Sequence, residues 1–227
     1  MEAASPVKVK SKDELEKEER EKEIGRKEKD LLEKYFDGRK YEEEKIKKWS
    51  NSILEEMSEF LSTKYPSFGS GCFLFVTEPS VNYSANRQSI YVQKTDSSVT
   101  EIYKSNTLRA SLRVYITKLK NQKFDVENFN IDYLLKANKI FSDSFEGRAF
   151  SDKNLDKYIE NAVTDINTYL LKFDELGHSF HQGFVFKNNS EKMQFFYKFG
   201  KMKYFPYCSS YSNDNLVAHL FLFFVSN

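Results

Sequence analysis

Phe36-Asp37-Gly38-Arg39-Lys40-Tyr41 recurs as Phe145-Glu146-Gly147-Arg148-Ala149-Phe150, an offset of 109 residues (145 − 36). The offset carries into the segment that follows, matching Ile46 with Leu155, Trp49 with Tyr158, Leu54 with Val163, Met57 with Ile166, Phe60 with Tyr169 and Leu61 with Leu170. In both copies the apolar members keep helical spacing on one face. Upstream, Leu31 and Leu32 match Ile140 and Phe141, so the helix before each glycine is repeated as well. Gly38 stands where a helix ends in a left-handed residue.

Further along, the offset drifts as loops of unequal length require, but the order of elements holds. Phe73-Leu74-Phe75 matches Phe184-Val185-Phe186, and Ile90-Tyr91 matches Phe196-Tyr197. The last strand aligns Leu108, Ala110, Leu112, Val114 and Ile116 with Leu216, Ala218, Leu220, Leu222 and Phe224, a period of two in both copies. Turn signals lie at Asp96-Ser97-Ser98, Asn106 and Ser212-Asn213-Asp214. Each copy therefore reads helix, helix, then four strands in a meander.

The intervening positions of that last strand differ. In the second copy they are Val217, Phe221, Phe223 and Val225, broken only by His219, and a strand apolar on both faces is covered on both. The first copy has Arg109, Ser111, Arg113 and Tyr115 there. Packing one sheet against the other hides the extra apolar face and gives a pseudo-twofold dimer inside one chain. The reading is an α+β fold of two tandem helix-helix-four-strand modules, residues 24–118 and 119–227, after a charged helical extension over residues 1–23. Ser11-Lys12-Asp13-Glu14 fits a capping box, so a helix starts near Lys12. Up to Glu23 it has no apolar stripe and reads as a solvated extension, either a helix held by ion pairs four residues apart or a frayed one.

Composition narrows the function classes. In 227 residues, 35 basic and 34 acidic side chains leave a net charge of +1, which provides no overall field for nucleic acid or a membrane surface. Met1 to Lys10 lacks the apolar core of a secretory signal, and the run Leu220 to Val225 is far short of the roughly 18 residues of a membrane span. These features read as a soluble intracellular protein. Cys72 and Cys208 lie in apolar strand-like stretches, suit a reducing compartment and read as buried thiols.

The order and spacing resemble the Tctex-type dynein light chains. The resemblance rests on Phe124 to Phe129 leading into a helix, the Phe145 to Phe150 glycine turn, an aromatic helix position at Tyr158 and four closing strands. It is repeated by Gly38-Arg39-Lys40-Tyr41, Ile46 and Trp49 in the first copy. It implies a light chain that dimerises by exchanging a strand, holds an extended segment of a dynein intermediate chain, and has neither enzymatic activity nor a cofactor. Two modules in one chain would take the place of the dimer. That gives a monomer in isolation, acting beside the intermediate chain and other light chains in a larger complex of the cytoplasm and cytoskeleton. A tandem form fits a cilium or axoneme by analogy. Where the family has Trp-Asp after an aromatic in the second strand, this chain has Val92-Gln93 and Tyr197-Lys198, so the family's peptide specificity is not carried over.

Such a module captures an extended segment by strand addition at a sheet edge. The expected contact or exchanged-strand residues run along the second strands: Ser89, Ile90, Tyr91, Val92 and Gln93 in the first module, Gln194, Phe195, Phe196 and Tyr197 in the second. The plainer reading of these aromatics is that they fill the core between sheets. His178 and His181 sit three apart, which on a strand puts them on opposite faces and argues against a metal site with Cys208 or His219. Neither cysteine has a visible activating base. Gly69-Ser70-Gly71 lacks the Lys-Ser/Thr of a phosphate loop, and no basic face accompanies the aromatic strands to suit single-stranded RNA. The competing reading is an axonemal scaffold or docking adaptor of the same fold, outside any motor, tethered by the charged helix.

Overall fold

The structure, a computed structural model, describes residues 10–81, 83–90, 96–118, 131–151, 153–173, 178–187 and 192–226. Helix α1 spans Lys12–Phe36 and α2 Glu43–Lys64, followed by strands β1 Phe68–Thr77, β2 Tyr83–Ile90, β3 Ser97–Lys104 and β4 Arg109–Lys118. Helices α3 Asp132–Asp143 and α4 Leu155–Leu170 then lead to β5 His178–Lys187, β6 Met193–Gly200, β7 Lys203–Ser212 and β8 Leu216–Ser226. Ser11 caps α1 with a complete capping box closed by Glu14, which satisfies two backbone N–H groups otherwise left without partners. Gly38 and Gly147 take φ of +66° and +68°, a backbone region open to glycine at no steric cost, and both repeated turns depend on it.

The strands do not form two meanders. One antiparallel sheet has the order β3-β4-β1-β6 and the other β2-β5-β8-β7. The second strand of each half has crossed to the other half's sheet, where β6 pairs with β1 and β2 with β5. The exchange places Phe195 beside Phe75 and Tyr197 beside Phe73, so an aromatic strand completes the aromatic face of β1. Either pairing gives the same alternation along the chain, which is why a meander could be read from the sequence.

Each sheet has one face under helices. Leu108, Ala110, Leu112, Val114 and Ile116 join Cys72, Leu74 and Val76 beneath Ile24, Leu31, Phe36, Ile53 and Met57. Leu216, Ala218, Leu220, Leu222 and Phe224 do the same beneath Phe141, Ile159, Val163 and Ile166. Helix α2 packs over both β1 and the borrowed β6, and α4 over both β5 and the borrowed β2. The other faces meet in an aromatic layer. Phe75 stacks on Phe184 at 4.6 Å between ring centres, Phe195 lies 4.5 Å from Phe221, and Phe73 lies 5.1 Å from Phe223. Such pairs add about 0.5–1.5 kcal/mol each beyond their buried area. Phe223 is 2% exposed, so β8 is covered on both sides.

The charged part of α1 is docked before its apolar stripe begins. Arg20 donates from Nε and Nη2 to Ser97 Oγ at 3.2 and 3.1 Å and covers the Phe68 ring at 4.7 Å. Tyr65 Oη donates to Glu23 Oε2 at 2.6 Å. The solvated-helix reading is corrected from Arg20 onward, because long polar side chains bury their stems while their heads find partners on β3 and at the end of α2.

Candidate partner-binding edges

Both exchanged strands end up as outermost strands: β6 flanks only β1, and β2 flanks only β5. An outermost strand presents a row of backbone N–H and C=O groups to whatever can pair with them. Just beyond the end of the β1–β6 ladder, where the chain passes from one sheet to the other, Glu78 N–H donates to Lys192 O at 3.1 Å and Lys192 Nζ donates to Glu78 Oε1 at 2.8 Å. That ion pair holds the Glu78 carboxyl below its ordinary value.

The expected site residues fall into distinct surroundings. Ser89 and Ile90 lie in β2 opposite Phe180 and Ser179, while Tyr91, Val92 and Gln93 lie outside the described residues. Gln194 Nε2 donates to Glu43 O at 3.4 Å, and Phe196 packs on the core under α2. Phe195 sits within the aromatic layer. Tyr197, 39% exposed, lines the rim, 4.8 Å from Phe223 and 6.1 Å from Tyr204. Burial among these rings raises the Tyr197 phenol. Lys198, on the helix side of β6, pairs with Glu55 of α2.

Beside β6 lies a shelf that sequence reasoning did not single out. On β7 the residues facing away from the helices, Tyr204, Pro206, Cys208, Ser210 and Ser212, are all exposed. Pro206 in an alternating strand was the available signal, since proline is confined to sheet edges. The expectation that Cys208 is buried is corrected: its face of β7 is left uncovered. Ser210 Oγ and His219 Nδ1 are 2.7 Å apart, and burial lowers the imidazole's proton affinity.

Cys72 is buried and its thiol is pushed up by that burial, away from the reactive thiolate. Among the described residues no three His, Cys, Asp or Glu side chains gather as metal ligands, and no helix is long and apolar enough to cross a membrane. The side chains of His178 and His181 lie outside the described set.

A family model carrying the description Tctex-1 family matches residues 19–117. This segment is similar to the Tctex-1 family, and it makes up less than half of the chain. It runs from within α1 to the penultimate residue of β4, so the match falls on the first copy of the repeat. Members of that family are non-catalytic dynein light chains. No curated protein matches the chain.

Proposed function

We propose that this protein is a non-catalytic dynein light chain made of two Tctex-like modules, residues 24–118 and 119–227, joined as an intramolecular pseudo-dimer. It holds an extended segment of a dynein intermediate chain by strand addition in an axonemal or ciliary motor complex. The observation that carries this reading is the reciprocal exchange of β2 and β6, which leaves each as an outermost strand of the sheet that receives it. Main-chain hydrogen bonds along such an edge supply affinity, and the alternate side chains of the guest read the neighbouring surface. At β6 that surface includes Tyr197 and the shelf led by Tyr204. Ser89, Ile90, Tyr91, Val92 and Gln93 are the corresponding contacts proposed for the other edge.

The test is purification of the intact complex from ciliated cells, followed by NMR titration of the full chain with the intermediate-chain segments recovered. Co-purification of an intermediate chain, with amide shifts concentrated in residues 193–200 and 83–93, is the expected result. Recovery of axonemal proteins without any dynein intermediate or heavy chain would favour the scaffold reading instead.

A further inference from the structure

The two halves carry unlike surfaces at equivalent places. On β3 and β4 the face turned away from the helices carries Thr100, Ile102 and Lys104 from one strand and Arg109, Ser111 and Arg113 from the other, aligned as Thr100 with Arg113, Ile102 with Ser111 and Lys104 with Arg109. The equivalent face of β7 and β8 pairs Cys208 with Phe221, Ser210 with His219 and Ser212 with Val217. One shelf holds three Lys and Arg side chains where the other holds none.

Three features single out the cationic shelf. Lys104 and Arg109 are exposed and directly opposite one another, and like charges at such positions destabilise a sheet. Neither they nor Arg113 forms an ion pair among the described residues. Arg113 is held in place instead, donating to Ser98 Oγ from Nε at 3.1 Å and Nη2 at 2.9 Å while lying 4.6 Å over the Tyr115 ring. The nearby acid of β3, Glu101, is on the opposite face, its Oε1 against Gly25 of α1, where a Cβ would meet it at 3.2 Å. Amid the charges stands Ile102, 60% exposed. An arrangement that costs the free protein stability is resolved by an anionic occupant with an apolar side chain.

We infer that the β3–β4 face, the counterpart of the shelf at β7, is a docking surface for an acidic, extended polypeptide segment. Arg109 and Arg113 are four residues apart on one strand, about 13 Å. Carboxylates at positions i and i+4 of an extended guest match that separation, with an apolar residue between them resting against Ile102. Strand β3 is the outermost strand of its sheet, so the guest has a backbone edge to follow. The neutral shelf at β7 lacks these charges, so a single chain presents two surfaces that a symmetric pair of identical modules cannot.

The test uses the full chain and three labelled peptides of one β-prone sequence with Glu, Gln or Lys at positions i and i+4, followed by fluorescence anisotropy. The Glu peptide binds, weakens as salt is raised, and exceeds the Gln peptide about tenfold, as two added ionic contacts would give. The double charge reversal R109E/R113E loses the Glu peptide and gains the Lys peptide, a swap that an unfolded variant could not produce. Equal binding of the Glu and Gln peptides overturns the inference, as does undiminished binding of the Glu peptide by R109E/R113E. A DNA duplex bound as tightly as the Glu peptide overturns it too, since a general anion site is a different surface. Amide shifts of β6 caused by an intermediate-chain segment should persist in R109E/R113E, which separates this result from the fate of the motor assignment.

Discussion

The helix-facing rows of β4 and β8 are nearly interchangeable, Leu-Ala-Leu-Val-Ile against Leu-Ala-Leu-Leu-Phe, and both lie in fully buried cores. The opposite rows, Arg109-Ser111-Arg113-Tyr115 against Val217-His219-Phe221-Phe223, share little beyond a final aromatic. Adjacent positions of one strand thus answer to different demands. The row under the helices sets the shared fold, and the row between and beside the sheets sets how the halves differ.

The largest expected effect lies where that second row is most buried. Phe223 touches Phe73, Tyr197 and Phe199 across the sheet interface, so Phe223→Ala should cost about 3–5 kcal/mol in urea unfolding. Its counterpart Tyr115, at the edge of the same cluster, should cost visibly less. Equal losses would mean that the interface draws evenly on both halves and would break the comparison.

Next come two strand glycines. A Cβ on Gly183 would sit 2.9 Å from Val163 Cγ2 and 3.3 Å from Ile159, both fully packed in α4, so Gly183→Ala should cost about 1–3 kcal/mol. At Gly71 the nearest atoms belong to the rings of Phe199, at 2.9 Å, and Phe73, at 3.2 Å, and the closer of them is only half-buried and lies on an edge strand rather than in a packed helix. Gly71→Ala should therefore be milder in the same unfolding assay.

The repeated turns sharpen the comparison from the other side, because there the halves should behave alike. Gly38→Ala and Gly147→Ala each force a side chain into the left-handed region and should each cost about 1 kcal/mol. A large inequality in melting temperature between them would argue against equivalent turns.

The smallest effect belongs to the crossing. Lys192 depresses the Glu78 carboxyl, so its stabilisation is present above the unfolded carboxylate range and is lost as pH falls through the folded value. The pair is exposed, and Glu78→Gln should cost less than about 1 kcal/mol at neutral pH. The variant should also show a slightly flatter decline of stability in acid, read from chemical denaturation at stepped pH.

Much of this fold is legible in the sequence. The 109-residue repeat, the glycine turns, the capping box at Ser11 and the helix-facing rows all depend on local chemistry or on periodicity within one strand. Partner choice between strands is less visible: Phe195 and Tyr197 alternate identically whether they lie beside Phe75 and Phe73 or beside their own β5. Docking of Arg20 and Glu23 escaped because the hydroxyl groups they meet, Ser97 and Tyr65, lie far away in sequence. Cys208 was misread because an apolar stretch does not reveal that the facing sheet stops one strand short. For the candidate edge, the second strands could be named, but Tyr204 and the β7 shelf emerge only from how the sheets overlap.

Backbone pairing tests the account most directly. In an NMR structure of the full chain, cross-strand contacts should connect residues 70–77 with 193–200 and residues 83–90 with 179–186, following the two exchanged ladders. Contacts joining 68–77 to 83–90 and 178–187 to 193–200 instead would show each half keeping its own second strand and would contradict the exchange.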